Sequence, residues 1–249
     1  MRILAIDVGG GTQDTLFFDS SVPIENCLKL VLPSATNVIA RRVEEATRRR
    51  EAILLTGFTM GGGPNHSAVK RHIQAGLSAY ATPDAARTFD DDLSQVEAIG
   101  VKIVSEDEAA SVKSVTRIVM RDVDLDALGH ALARFGVDMR FDGLAVGVLD
   151  HGFAPPGVSD RLFRFEHLAR VVQAHQNLSG FVYLPSEIPD YMTRMTSLVA
   201  SLKSVHPVSS GVDAPLLIMD TAPLGALGAL EDVEVRRRRE RLVVNLGNM

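Results

Sequence analysis

Three consecutive glycines follow an apolar segment near the start of the chain. The sequence is IDVGGGTQDT over residues 6–15, with Asp7 just before the turn that Gly9, Gly10 and Gly11 form. Glycine lets the backbone take positive φ and approach a ligand closely, so that several N–H groups can face one anion. A carboxylate beside an anion needs a cation between them, and Mg2+ commonly bridges carboxylate and phosphate oxygens. These residues predict a phosphate site with Mg2+ at Asp7; a glycine-rich hairpin without a ligand is the alternative.

Further polar residues could complete such a site. Thr12 and Gln13 add a hydroxyl and an amide at its rim, while Asp150 and His151 follow the apolar run LAVGVL. In open α/β sheets, functional groups usually lie beyond the ends of buried strands. Asp150 could therefore orient water or accept a proton as a catalytic base, with His151 titrating near neutrality. The other interpretation is that both residues end the strand and cap a turn.

A second glycine cluster lies in TGFTMGGGPNHS, residues 56–67. It could bind an anion at the N-terminus of the following helix, or it could be a loop without a ligand. The segment lacks the G-K-[ST] ending of a Walker motif. Elsewhere, the seven histidines show no zinc-binding spacing, so no zinc site is expected. The arginine run at 236–239 is interpreted as a solvated linker, with binding to an acidic partner or phosphate as the alternative.

The composition limits the class of protein. The chain has 249 residues, of which 46% are hydrophobic, and a formal net charge of -5. It can bury a large core, as one big domain or two smaller ones, and nucleic acid is not expected as its main partner. Its single cysteine, Cys27, excludes an intramolecular disulfide framework. Because we find no signal-peptide pattern and no apolar run of about 20 residues, we expect a cytoplasmic protein without a membrane partner.

Alternating strand-like and helix-like segments predict an α/β fold. The segment from Thr82 to about Ser111 is acidic and poorly periodic, which indicates an insertion or an irregular surface excursion. The predicted strands are 3–8, 16–18, 27–32, 52–56, 115–123, 144–149 and 215–220. Helices are predicted after a cap at Ser34, from about Pro64, and over 124–135, 160–176, 189–205 and 221–230.

Three segments resemble the superfamily of actin, heat-shock chaperones and sugar kinases. Residues 6–15 are similar to its first phosphate motif, RLVVNLGNM at 241–249 to the start of its second, and DTAPLGALGAL at 220–230 to its connecting helix. The resemblance implies a ribonuclease-H-like (actin-like ATPase) α/β domain with a mixed central sheet and an insertion, ATP and Mg2+ as cofactors, and phosphate contacts at Asn245 and Gly247. The start IDVGGGTQD, DHGF at 150–153 and LFRFE at 162–166 resemble a branch labelled pyruvate formate-lyase activating enzyme.

The sequence departs from this superfamily at its C-terminal end. Asn245 stands where the second phosphate motif usually has aspartate, and Met249 ends the chain inside that motif. We therefore expect residues 1–240 to form an N-terminal actin-like domain with an insertion near 82–111. Residues 241–249 would begin a second domain that is essentially missing, so nucleotide binding by this chain alone should be weak. The tail should be disordered or pair with another copy of the chain, which would make a homo-oligomer through the C-terminal strand.

Three functions are compatible with these motifs. The leading hypothesis is an ATP- and Mg2+-binding actin-like protein that performs phosphoryl transfer or acts as a nucleotide-dependent switch. The alternatives are a non-catalytic regulatory or assembly protein that keeps the fold, and a small-molecule kinase with Asp150 as base. A radical activase is not expected, because its iron–sulfur cluster needs three cysteines and the chain has one.

Overall fold

The computed structural model describes residues 1–204 and 214–245, which form two β-sheets with helices packed on them. The strands are β1 (Arg2–Val8), β2 (Thr12–Asp19), β3 (Leu28–Pro33), β4 (Ala52–Gly57), β5 (Ala79–Ala81), β6 (Val101–Ile103), β7 (Val115–Met120), β8 (Gly143–Val148), β9 (Val182–Tyr183) and β10 (Leu216–Asp220). The α-helices are α1 (Ala35–Arg48), α2 (Pro64–Gln74), α3 (Pro83–Ala86), α4 (Leu93–Ala98), α5 (Glu106–Ser111), α6 (Leu125–Ala133), α7 (Asp160–His175), α8 (Thr193–Ser204), α9 (Thr221–Glu231) and α10 (Val233–Arg236).

The first sheet, called here the mixed sheet, has six strands in the order β3-β2-β1-β8-β10-β9. Strands β1, β2 and β3 are antiparallel neighbours, whereas β8 is parallel to β1 and β10 is parallel to β8. Asp7 on β1 is paired with Asp14 on β2 and with Gly147 on β8. The glycine turn after β1 therefore lies at the same edge as the C-terminal ends of β8 and β10.

The second sheet, called here the parallel sheet, has four parallel strands in the order β6-β5-β4-β7. Its strands lie between β3 and β8 in the sequence. In this order, β4 lies between β5, the next strand along the chain, and β7, which is added last. The loops after β4 and β7 therefore lie side by side, which is the usual position of a ligand crevice in an open parallel sheet. The second glycine cluster follows β4 directly.

Each sheet has its own hydrophobic core. The core of the mixed sheet contains fully buried Leu4, Met195 and Ile218, and the core of the parallel sheet contains Ile53 and Val69. Short β5 reads AYA, and its two alanines are buried against neighbouring helices. Aliphatic burial of this kind stabilises each side chain by about 1.5–3 kcal/mol, so each sheet has a packed support for the loops at its edge.

Helix α1 connects the two sheets. Ser34 caps it by accepting the N–H of Asn37, as the sequence predicted. Its apolar face, which includes Ile39 and Val43, packs into the core of the parallel sheet. The first turn of α1 nevertheless contacts the glycine turn of the mixed sheet, since Ser34 Oγ donates to the carbonyl of Gly10.

The predicted α/β class is confirmed, but the expectation of an irregular excursion over 82–111 was wrong. The segment 82–111 is regular rather than irregular, because α3, α4, β6 and α5 lie within it and Val96 and Ala109 are buried. Residues 241–245, the described part of the C-terminal tail, form no strand within one chain, and Leu242 is 89% exposed, so pairing with another copy stays a prediction. Across the described ranges, every helix is too short or too polar to span a bilayer.

Candidate functional site

A cleft of about 770 Å3 lies where the loops of the two sheets meet. Its walls contain both glycine clusters, Gly9–Gly11 from the mixed sheet and Gly61–Gly63 from the parallel sheet. Asp150 and Asn245 also line it. The volume is in the range of small-molecule sites. Residues that the sequence placed in four separate motifs are thus brought together in one cavity.

The first glycine turn is fixed from the side of α1. Ser34 Oγ and Asn37 Nδ2 donate to the carbonyl of Gly10 at 2.9 and 3.2 Å, and Asn37 Nδ2 also donates to the carbonyl of Gly11 at 3.0 Å. A Cβ added at Gly10 or Gly11 would meet nothing within 4 Å. The backbone of the turn is therefore fixed by hydrogen bonds, while the positions that side chains would occupy at Gly10 and Gly11 are empty.

Asp7 lies on β1 two residues before this turn; it is half-buried and is not among the residues that line the cleft. Its Oδ1 accepts a hydrogen bond of 3.0 Å from the hydroxyl of Thr221, the first residue of α9. Burial raises the pKa of Asp7 above its ordinary value, and the hydroxyl of Thr221 opposes this shift. Gly147 makes room for the carboxylate, because a Cβ there would lie 2.7 Å from Asp7 Oδ1.

The second glycine cluster is held by Asp122, which follows β7, and by Thr36 on α1. The N–H of Gly61 donates to Asp122 Oδ1 at 3.0 Å, and the carbonyl of Gly62 accepts from Thr36 Oγ1 at 2.6 Å. Thr36 belongs to the first turn of α1, next to the residues that hold the first glycine turn. One helix end thus fixes both glycine clusters.

Arg194 on α8 joins the two walls of the cleft. Its Nε and Nη2 donate to Asp122 at 2.7 and 2.8 Å, and its Nη1 donates to the carbonyl of Leu149 at 2.7 Å. Asp122 follows β7 of the parallel sheet, whereas Leu149 follows β8 of the mixed sheet. The Asp122 side chain is 1% exposed. A charge-assisted, two-point contact of this kind fixes orientation as well as distance.

Asp150 is buried at the floor of the cleft. Its Oδ1 accepts the N–H of Gly152 at 2.9 Å and its Oδ2 accepts the N–H of Met195 at 2.8 Å. Burial raises the pKa of Asp150, although both N–H groups act in the opposite direction. The carboxylate therefore caps the turn after β8 and the start of α8, as the second interpretation of the sequence expected. Each oxygen keeps a lone pair, so the role of a base stays a prediction.

A buried ion pair at the end of β10 was not predicted from the sequence. Arg164 on α7 donates to both oxygens of Asp220, at 2.7 and 2.9 Å, and to the carbonyl of Asp150 at 2.5 Å. Asp220 also accepts the N–H of Ala222 and so caps α9. The only signal was the LFRFE motif, in which an arginine lies between two phenylalanines on a predicted helix. The pair fixes the starts of α7 and α9 relative to β8.

The remaining predicted residues lie in different places. Thr12 is exposed and its hydroxyl bonds Asp14, while Gln13 is buried on β2; neither lines the cleft. His151 lines the cleft, and burial together with the charges of Arg164 and Arg194 lowers its pKa. Gly247 lies outside the described residues.

The walls of the cleft are acidic. Two arginines line it, Arg87 and Arg194, and each is paired with a carboxylate. In residues 1–204 and 214–245, we find no group of three or more His, Cys, Asp or Glu side chains arranged to hold a metal ion. The lining aspartates are Asp90, Asp91, Asp122, Asp150 and Asp160. An anionic ligand would therefore meet carboxylates unless a cation came with it.

The sheets and the cleft define an α/β protein with a ligand-sized cavity between two glycine-lined loops. The chain belongs to the family described as "Putative pyruvate format-lyase activating enzyme (DUF1786)", whose model matches residues 60–249. The matched part includes the second glycine cluster, Asp150 and the arginines of both ion pairs, and it begins after the first glycine turn. The label of the branch that the sequence resembled is confirmed. We find no match among curated proteins.

Proposed function

We propose that the cleft binds the phosphates of a nucleotide together with Mg2+, and that the mixed sheet is the ribonuclease-H-like domain of an actin-like ATPase. The observation that carries the proposal is the meeting of two glycine clusters across one cavity, with Asp7 two residues before the first of them and bonded to Thr221, which lines the cavity. A strand, a carboxylate, a glycine turn and an antiparallel second strand occur here in the order that the resemblance implies.

The residues of the cleft fit a phosphate group. Gly10 and Gly11 leave open space where other residues would have side chains, and their carbonyls are already engaged by Ser34 and Asn37. A phosphate can then approach the backbone of the turn closely. Thr221 and Asn245 also line the cavity, and the hydroxyl of Thr221 donates to Asp7.

The acidity of the cleft favours a ligand that arrives with a cation. Mg2+ usually keeps several of its waters and meets protein through one or two carboxylates. Asp7 would hold such a hydrated ion, which would neutralise charge on the phosphates and on the aspartate. Proton transfer would fall to Asp150, whose burial makes its protonated form more accessible than that of an exposed aspartate.

Calorimetric titration of the chain with ATP and with ADP, each with Mg2+ and with EDTA, tests the binding. We expect saturable binding that depends on Mg2+. Gly10→Val should abolish it without unfolding the protein, since its side chain enters open space. Gly228→Ala is the matched control, because this α9 glycine also has free space around its α-carbon and does not line the cleft. Equal affinity of both variants would overturn the assignment, as would a wild-type chain that binds neither nucleotide.

The role of Asp7 is tested by Asp7→Asn, which keeps the shape of the side chain. The variant should lose the part of the affinity that Mg2+ adds and retain the part measured in EDTA. A melting curve of the variant checks that the fold is intact. If binding in EDTA is lost as well, Asp7 maintains the conformation of the glycine turn and does not hold the cation.

A non-catalytic regulatory role is the second candidate. It is favoured by the contacts of Asp150. Both of its carboxylate oxygens accept backbone N–H groups, so the side chain already has a structural role in capping two segments. Release of inorganic phosphate from MgATP separates the two functions. Turnover that Asp150→Asn removes while binding persists would support an enzyme, whereas binding without turnover in the wild type would support a switch.

The activase chemistry in the family description is a poor fit to this chain. Radical activases hold an iron–sulfur cluster through three thiolates, and Cys27 is the only cysteine. Cys27 is buried beside β2, where its Sγ accepts the N–H of Asp19 at 3.4 Å, and it does not line the cleft. Anaerobic reconstitution should leave the chain without stoichiometric iron. A cluster bound by the monomer would contradict this reasoning.

A further inference from the structure

Helix α7 has an unusual distribution of side chains. Its buried residues are Arg164 and His167, while Leu162, Phe165 and Val172 are 53%, 49% and 47% exposed. Surface helices of globular proteins normally bury their apolar residues and expose the charged ones. The outward side of α7 therefore carries a row of apolar residues beside its exposed charged ones, such as Glu166 and Arg170.

The inward face of α7 explains why its apolar residues are left outside. Arg164 forms the buried pair with Asp220, and His167 Nδ1 lies 2.9 Å from the Tyr191 hydroxyl while its Nε2 lies 3.2 Å from that of Tyr183. These contacts fix the rotation of the helix about its axis. The helix cannot turn its apolar face inward without breaking a buried ion pair.

The exposed residues form a continuous stripe, called here the α7 stripe: Leu162, Phe165, Ala169 and Val172. Their spacing of three, four and three residues puts them on one face of the helix. Over ten residues the stripe is about 15 Å long. The same spacing is typical of helices that pack against another helix.

We propose that the α7 stripe binds the α7 stripe of a second copy of the chain, with the two helices antiparallel about a twofold axis near residue 167. The spacing is the same in both directions, so this axis places Phe165 opposite Ala169 of the other copy. It also places Leu162 opposite Val172. The largest side chain of the stripe then packs over the smallest, as a self-complementary interface requires.

The charges beside the stripe are complementary in the same arrangement. Glu166 and Arg170 are exposed on one flank of α7, and Arg170 is held there over the ring of Tyr191, 6.0 Å from its centroid. In an antiparallel pair, this flank faces the same flank of the other copy. Glu166 of each chain then lies within reach of Arg170 of the other, and the twofold axis generates two equivalent ion pairs.

Sedimentation equilibrium of the full chain at several concentrations tests the interface. The wild type should form a dimer, and Phe165→Glu should raise its dissociation constant at least about tenfold, since hot-spot side chains dominate such interfaces. Phe135→Glu is the matched control, because Phe135 is 84% exposed and lies outside the α7 stripe. It should leave the dissociation constant unchanged. Circular dichroism and melting curves verify that both variants are folded.

A charge exchange tests the orientation. Glu166→Arg should weaken the dimer by placing like charges together, and adding Arg170→Glu should restore it, since the exchange recreates both ion pairs. A wild type that stays monomeric would overturn the proposal. So would a dimer that Phe165→Glu leaves intact and removal of residues 241–249 abolishes, because the tail would then be the interface. Equal weakening in the single and double charge variants would exclude the antiparallel pair.

Discussion

Gly147 lies directly beside the carboxylate of Asp7, as its partner in the parallel pairing of β1 and β8. A Cβ at this position would lie 2.7 Å from Asp7 Oδ1 and 2.4 Å from Leu224 Cδ2. The carboxylate of Asp7 and the Leu224 side chain of α9 thus both occupy the space that a side chain at position 147 would need. A central strand, LAVGVL, contains glycine at this point because the site needs the space.

Gly147→Ala should destabilise the protein by about 1–3 kcal/mol, since a methyl group must displace Leu224 or Asp7. Gly228→Ala in α9 should instead stabilise it, by up to about 1 kcal/mol, because alanine favours a helix and the space is open. Urea unfolding of both variants measures the two effects. Equal stability of Gly147→Ala and the wild type would show that α9 can shift without cost.

Arg194→Met should destabilise the protein by about 3–5 kcal/mol, because it leaves the buried Asp122 carboxylate without its partner. Hydrogen exchange should rise in residues 58–63, since the N–H of Gly61 is bonded to that carboxylate. Arg87→Met is the control: its pair with Asp84 also lies at the cleft, but both side chains are more exposed. An exposed pair contributes about 0–1 kcal/mol. Similar results for both arginines would contradict the role given to Arg194.

Arg164→Met should likewise cost about 3–5 kcal/mol, because Asp220 would remain as an unpaired buried charge. Adding Asp220→Asn should recover part of the loss, since the double variant no longer buries that charge. A double-mutant cycle in urea gives the interaction energy of the pair. Strictly additive losses would show that the two side chains do not stabilise each other.

The order of local elements could be predicted, because each depends on a short pattern of residues. The apolar run of β8, the Ser34 cap of α1 and the proline at the start of α2 indicated their positions closely. The segment 82–111 was misjudged because its elements have only three to six residues. Such short elements show little periodicity and are held by tertiary packing.

The site could be predicted only where its residues are adjacent in the sequence. Both glycine clusters and Asp150 were identified from local motifs. Arg194 and Asp122 are 72 residues apart, and Arg164 and Asp220 are 56 apart. An arginine on a predicted helix is normally interpreted as solvated, so nothing local indicated that either is buried. Their partners depend on how the strands are ordered in the two sheets.

His72 makes stability depend on pH in a way that can be measured. Its ring is fully buried, with Nδ1 2.8 Å from Thr47 Oγ1 and Nε2 3.2 Å from the carbonyl of Ser78. Burial lowers its pKa below the ordinary value of 6.5. The folded protein therefore keeps this ring neutral at a pH where the unfolded chain binds a proton.

The sign of the effect follows from this difference in bound protons. The free energy of unfolding should fall as the pH drops below about 6.5, by about 1.4 kcal/mol per pH unit for each such histidine, until the folded-state pKa is reached. His72→Asn should lower the stability at every pH and should also reduce this slope by one proton. Urea unfolding between about pH 7.5 and 5 measures both slopes. Parallel curves for the variant and the wild type would show that His72 titrates equally in the folded and unfolded states.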